Sequence, residues 1–367
     1  MAHKQRVAYL DYLRLVAILG VITIHVATSL NFYRQDYASL NWQILNFWDG
    51  LSRFCVPVFI MISGAIFLNP DFDLSWEKLF KKYLRRIVVS YLIWQLIYCG
   101  WYYFAKEGDL VTVAKFLIGS YDHLWYLPMI AGLYLVTPLL RPLARRRQLL
   151  EYYLLLALLF AWLLPTGLDL IRLWPKPPKH MADALAAFKR LLGKLDLQTV
   201  MGFGGYYMAG YYFSQAHMSK RNLYFVQALC LLGAGATIGL SGWLTAKAGH
   251  LRLTLYSYNS FFVLLESSAV FLSLQMLKPR LWSEEVLGEL AGSVMGIYLL
   301  HPLLIYYWGK TPVWQLAASN SAWLGNFDFC QQFRYRLALA QEQIFGPLAF
   351  IGLTRRRIHV IFIKTRQ

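Results

Sequence analysis

Apolar stretches of about 20 residues recur along the whole chain, separated by short segments rich in Lys and Arg. That length lets a helix cross a hydrocarbon core, and the pattern predicts spans near 8–29, 47–68, 84–105, 124–141, 149–166, 198–216, 222–244, 257–277, 288–308 and 337–354. The short alternating segments of a β-barrel do not dominate. The expected fold is all-α: a polytopic integral membrane bundle of about ten transmembrane helices. No internal repeat, low-complexity tract or linker divides it, so 1–367 is read as a single transmembrane domain. Segments 167–197 and 309–336 are long enough to fold as small caps on the outer face.

An even number of spans places both termini on one side. That side receives Lys4 and Arg6, then Lys78, Lys81, Lys82, Arg85 and Arg86, then Arg141, Arg145, Arg146 and Arg147. It also receives Lys220, Arg221, Lys278, Arg280 and the tail Arg355, Arg356, Arg357, Lys364 and Arg366. Basic loops stay in the cytoplasm, which makes both termini cytoplasmic. The first apolar run follows "MAHKQR", but it is too long for a signal peptide and no small-residue cleavage site follows, so it is read as a retained span.

Composition agrees: 58% of the 367 residues are hydrophobic and 15% charged. The net charge of +17 would suggest nucleic acid in a soluble protein. Here the charge lies in clusters between apolar runs, so it marks topology and no nucleic-acid partner is expected. Cys55, Cys99, Cys230 and Cys330 lie far apart, mostly within apolar runs. They read as core residues with neither a disulfide framework nor a metal site.

Ionisable groups inside such spans are costly and mark functional sites by default. In "LDYLRLVAILGVITIHV", Arg14 and His25 are eleven residues apart. At 100° per residue they share a face to within about 20° and stand roughly 16 Å apart along the axis. Asp11, one turn before Arg14, can pair with it. A snorkelling Arg above a hydrogen-bonded core His is the plain alternative. By the same topology His123 in "YDHLWYL" and His301 in "GIYLLHPLLIYY" lie in the outer half with His25, at a depth that suits one polar cavity.

Ser63 and Gly64 in "FIMISG" fall in the inner half, where small residues usually make a packing notch between helices. Lys82, Arg85 and Arg86 stand at the inner mouth as topology markers or as a phosphate-binding cluster with Arg14. Glu266 in "FVLLESSAV" is a lone carboxylate near mid-span, expected to be paired or protonated and a candidate for lining the cavity. Trp125 and Tyr126 can stack on a sugar ring or anchor a span end at the interface.

Together these pieces resemble the acyltransferase family 3 membrane proteins, bacterial O-acyltransferases of surface glycans. The matching motifs are the Arg-x10-His pair Arg14 and His25, "FIMISG" over 59–64, "HLWYL" over 123–127 followed by "GLYLVTPLL", and "YLLHPLL" around His301. The resemblance implies an acyl-CoA donor, usually acetyl-CoA, on the cytoplasmic side as co-substrate, with no tightly bound cofactor. It also implies an acceptor hydroxyl on a polysaccharide or lipid-linked sugar, and an essential role for Arg14 and His25. One departure stands out: the family's Arg-x-x-Arg at the third span reads Tyr83-x-x-Arg86 here, so only Arg86 carries over.

The resemblance places the chain in the bacterial cytoplasmic (inner) membrane, among lipids, as a homo-oligomer or in a polysaccharide synthesis or export complex. His25 is the expected base, since acyl transfer to a hydroxyl needs a proton acceptor and an imidazole titrates near neutrality. Arg14, Lys82, Arg85, Arg86 and Ser63 are expected on the donor side. His123, Trp125, Tyr126, His301, Glu266 and Asp11 are expected on the acceptor side or in the cavity. Direct attack and an acetyl-His25 intermediate both remain open. A transporter of an acyl, glycan or lipid-linked intermediate is the reading from a different class; the motifs and the absence of repeat symmetry argue against it.

Overall fold

The computed structural model describes residues 7–29, 36–105, 109–173, 178–195 and 197–311, and all regular secondary structure among them is helical. Nine of the ten predicted spans fall on these helices. The tenth, 337–354, lies outside the described residues, as do Lys4, Arg6, Cys330 and the basic tail.

The first span is α1 (Ala8–Ser29). The second begins earlier than its hydropathy predicts: α2 (Leu40–Leu51) leads through a break at Ser52–Phe54 into α3 (Cys55–Phe67). The Ser39 hydroxyl caps α2 by accepting from the Trp42 N–H. The polar residues that hide this first half from a hydropathy scan are met by protein, since the Asn46 amide donates to the Ile238 carbonyl (3.1 Å).

A π-helical stretch over Lys78–Leu84 opens the third span and continues as α4 (Arg85–Ala105). The fourth is compound, with α5 (Leu110–Gly119), a 3₁₀ turn over Asp122–Trp125 and then α6 (Tyr126–Arg145). Asp109 caps α5, and hydrogen bonds from Thr112 hold its carboxyl below the usual range.

Next come α7 (Arg147–Ala157), a second π stretch over Leu158–Leu163 and α8 (Leu164–Leu173). Within the expected outer cap lies α9 (Lys179–Lys194). The remaining spans are α10 (Leu197–Ser214), α11 (Lys220–Ala248), α12 (Phe261–Leu277) and α13 (Glu284–Gly309).

Eight helical stretches among the described residues are long and apolar enough to cross a membrane, and this is a multi-pass helical membrane protein. Outward-facing Leu92, Ile93, Leu96, Leu231, Leu232 and Leu304 would be a liability in water. In a bilayer they are the solvated surface.

The Gly- and Tyr-rich α10 is not one of the eight. It is sheltered by α3, α7 and the second π stretch. A Cβ at Gly64 would strike the Tyr207 carbonyl, and one at Gly210 the Met61 carbonyl. The two backbones therefore cross in direct contact, which is the packing notch expected of Ser63 and Gly64.

α1 packs on both α3 and α13. The Tyr12 hydroxyl accepts from the Leu281 and Trp282 N–H groups (2.7 and 3.1 Å), so α1 and α13 start at the same end and run parallel. Arg141, near the end of α6, donates to the Asn69 and Phe72 carbonyls (2.7 and 2.8 Å) beyond the end of α3. The first turns of α1, the loop after α3, the head of α4 and the tail of α6 thus share one end of the bundle.

Candidate active site

At that end Asp11 and Arg14 form an ion pair one turn apart. Asp11 is buried (1% exposed), whereas 29% of the Arg14 side chain remains accessible. A buried carboxylate facing a half-open guanidinium orients the Arg while leaving donors for an incoming anion. Tyr134 on α6 lies within electrostatic range of both Arg14 and Arg86, and Tyr126 within that of Arg14. The Ser63 hydroxyl donates to the Phe59 carbonyl (3.2 Å), and both tyrosines lie near it. Arg14, Arg86 and Ser63 thus all lie in the neighbourhood of Tyr134 on α6.

Lys82, Arg85 and Arg86 are exposed beside this mouth. Tyr83, which interrupts the Arg-x-x-Arg pattern, packs edge-on against Phe67 (4.9 Å between ring centroids), and Phe67 meets Tyr134 at 4.3 Å. The Lys82 ammonium lies 5.4 Å from the Tyr83 ring centroid. Position 83 is therefore part of an aromatic floor with a neighbouring cation at its edge.

Farther along α1, three histidines from distant parts of the chain meet. The His25 ring centroid is 4.7 Å from that of His301 and 6.3 Å from that of His123, and the latter two are 5.3 Å apart. Three separate spans thus bring these rings not only to one depth but into contact. His123 sits on the 3₁₀ turn before α6 rather than inside a helix. Its carbonyl accepts from the Tyr298 hydroxyl, and the Tyr298 carbonyl receives His301 Nδ1 at 2.7 Å. The Tyr98 hydroxyl donates to the Leu299 carbonyl (2.7 Å) and ties α4 to the same turn of α13.

His25, His123, Trp125, Tyr126, Tyr258 and Tyr298 line a cavity of about 40 Å³, whose wall also includes Cys55. That is room for roughly two or three water-sized groups, enough for reacting atoms but not a sugar ring. Trp125 and Tyr258 stack at 5.8 Å with 27° between their planes, forming an aromatic wall. His301 stands behind His25 rather than in the wall. Among the described residues no group of His, Cys, Asp and Glu converges on a metal-sized point.

Glu266 is not part of this wall. It is buried (1% exposed) beside the Phe54 backbone, in the field of Arg53 and Asp49. Arg53, partly buried, and the buried Asp49 form an ion pair across the α2–α3 break, and the Arg53 guanidinium lies over the Tyr256 ring at 4.9 Å. Sequence reasoning singled out neither residue. Their spacing of four in "DGLSR", near the start of the predicted second span, was the available signal. Tyr258 and Tyr298 were also missed, although Tyr298 lies one helical turn before His301.

A membrane-embedded helical bundle thus holds a basic mouth at one end and a histidine-lined cavity toward the other, joined by one face of α1. This defines an integral membrane protein with an internal polar site. Residues 7–317 match the family model described as an acyltransferase domain, acyltransferase family 3, and the chain belongs to that family. It is a multi-pass membrane acyltransferase. No curated protein and no solved structure matches the chain.

Proposed function

We propose that the protein is an O-acetyltransferase that moves an acetyl group from cytoplasmic acetyl-CoA to a hydroxyl of a cell-surface or exported glycan, either a polysaccharide or a lipid-linked precursor. The observation that carries this reading is the continuous face of α1, with Arg14 at the basic mouth and His25 at the histidine cavity. Arg14, Arg86 and the exposed Lys82 and Arg85 hold the phosphates of the donor. Its pantetheine arm follows α1 past Ser63, Tyr134 and Tyr126, over the roughly 16 Å that eleven helical residues span.

In the cavity His25 takes the proton of the acceptor hydroxyl as its oxygen attacks the thioester carbonyl. The new C–O bond forms and the C–S bond breaks with its electron pair on sulfur. The CoA thiolate then recovers the proton from the His25 imidazolium, so no net proton is consumed. A cavity of this size leaves room for few waters beside the reacting groups, which limits hydrolysis of the thioester. Trp125 and Tyr258 present the aromatic surface on which a sugar ring stacks outside the reacting centre. Acetyl-CoA acts as co-substrate and no tightly bound cofactor is required. The setting is the bacterial cytoplasmic membrane, with lipids as the surrounding partner.

The test is acetyl-CoA binding and CoA-thiol release by the purified protein in nanodiscs, with and without glycan fractions from the producing cell's envelope. Donor binding with release stimulated by one fraction supports the reading. Absence of donor binding overturns it in favour of a different donor or of transport.

A further inference from the structure

The hydrogen bond between His301 and the Tyr298 carbonyl decides the tautomer of His301. A carbonyl oxygen only accepts, so the proton sits on Nδ1 and the neutral ring carries a bare lone pair on Nε2. That Nε2 is buried on a side chain only 3% exposed and has no hydrogen-bond partner among the described residues. A buried acceptor left in this way is costly and calls for an explanation. The nearest ring is that of His25, at 4.7 Å, with His123 farther off at 5.3 Å.

We propose that His301 is a positioning residue for His25, whose ring N–H on the side away from the cavity is received by the Nε2 lone pair of His301. This contact holds His25 in one tautomer, with its other nitrogen unprotonated as the base for the acceptor hydroxyl, and stabilises the imidazolium when that nitrogen takes the proton. The inference rests on the role of His25 given above. The same logic orients the basic imidazole of a catalytic triad, with a neutral ring here in the place of a carboxylate. Such hydrogen bonds are often open or misaligned before substrate binds and close in the reacting complex.

The supporting frame is tied together by hydrogen bonds. Tyr298 fixes His301 through its carbonyl and His123 through its hydroxyl, and Tyr98 anchors the Leu299 carbonyl. Parallel packing of α1 and α13 sets the two rings at one depth. These bonds set where the His301 lone pair stands relative to His25.

Two substitutions separate this role from a packing role. In His301→Asn the amide overlies Nδ1 and keeps the bond to the Tyr298 carbonyl but leaves nothing at Nε2. In His301→Gln the amide reaches the Nε2 position and supplies an acceptor oxygen there. The full chain, labelled with ¹⁵N-histidine and placed in nanodiscs, is read by NMR of the ring nitrogens, with His25→Ala used for assignment.

The expected result is a single His25 tautomer in wild type and His301→Gln, and a mixture in His301→Asn. With acetyl-CoA and the stimulating glycan fraction, kcat falls about 10–100-fold in His301→Asn at unchanged KM for acetyl-CoA, and His301→Gln recovers most of it. Identical His25 signals in all three proteins, or equal loss of turnover in both variants, overturns the proposal. Full turnover in His25→Ala would instead remove the role of His25 as base, a failure visible separately from the tautomer result.

Discussion

The imidazoles of His25 and His301 lie 4.7 Å apart although they come from the first and last helices of the described structure. His25 lines the cavity, and the His301 ring packs against it from outside the lining. His25→Ala is expected to abolish acetyl transfer while leaving acetyl-CoA binding and the thermal unfolding midpoint close to wild type. CoA-thiol release and a thermal melt in detergent check the two halves of the expectation. Normal release would remove the base assignment.

Arg14 is expected to act on the donor. Arg14→Ala removes a cation that hydrogen-bonds phosphate, and such charge-assisted bonds contribute roughly 1.5–3 kcal/mol. Acetyl-CoA should therefore bind about 10–100-fold more weakly, as read by titration calorimetry in nanodiscs. Asp11→Asn keeps the shape but weakens the hold on Arg14, and should produce a smaller loss in the same direction. Unchanged affinity in both would mean that the pair is purely structural.

Tyr83 occupies a position where the family pattern carries Arg, yet its ring is packed on Phe67. Tyr83→Phe should be silent in stability and donor affinity. Tyr83→Ala should lower stability by about 2–4 kcal/mol through loss of a packed aromatic ring. Chemical unfolding followed by tryptophan fluorescence measures this. A strong loss of donor binding in Tyr83→Phe would show that the phenol contacts the donor directly.

The α3–α10 crossing leaves no room for a methyl group at Gly64 or Gly210. Gly64→Ala drives its Cβ into the Tyr207 carbonyl, which cannot rotate away as a side chain would. Destabilisation of at least about 1–3 kcal/mol is expected, with a lower melting temperature and reduced yield of monodisperse protein. Ser63→Ala on the same turn should leave stability nearly unchanged.

Cys99 is buried on α4, within sulfur hydrogen-bond range of the Gln95 amide (3.9 Å). Cys99→Ser should be almost silent in CoA-thiol release. A dead Cys99→Ser variant that still binds acetyl-CoA would reveal an essential thiol.

The spans were legible because crossing a bilayer imposes a length and an apolar composition on each segment separately. Nine of the ten predicted segments coincide with helices, from α1 to α13. The Arg14–His25 face was legible for a similar reason: both groups lie on one helix, so the 3.6-residue period places them without reference to any neighbour. Depth could be carried from one span to another through topology, which brought His25, His123 and His301 to the same level.

Azimuth could not be carried across in that way. Glu266 shares the bundle interior with the histidines, yet it faces Arg53 and the Phe54 backbone because of how α12 is rotated against α3. The Asp49–Arg53 pair lies at the start of the predicted second span, where an aspartate and an arginine read as boundary residues; protein contacts at Asn46 and Tyr256 instead shelter it inside the bundle.

The sequence by itself determined that this chain builds a helical membrane bundle, which end of α1 is basic, and which ionisable groups lie buried along it. Tertiary structure alone decided that His301 rests behind His25, that Tyr298 bridges His301 and His123, and that Glu266 stands apart. The reason is that helical period and bilayer thickness act within a segment. Rotation about the helix axis is set between segments, by contacts such as Gly64 against the Tyr207 backbone.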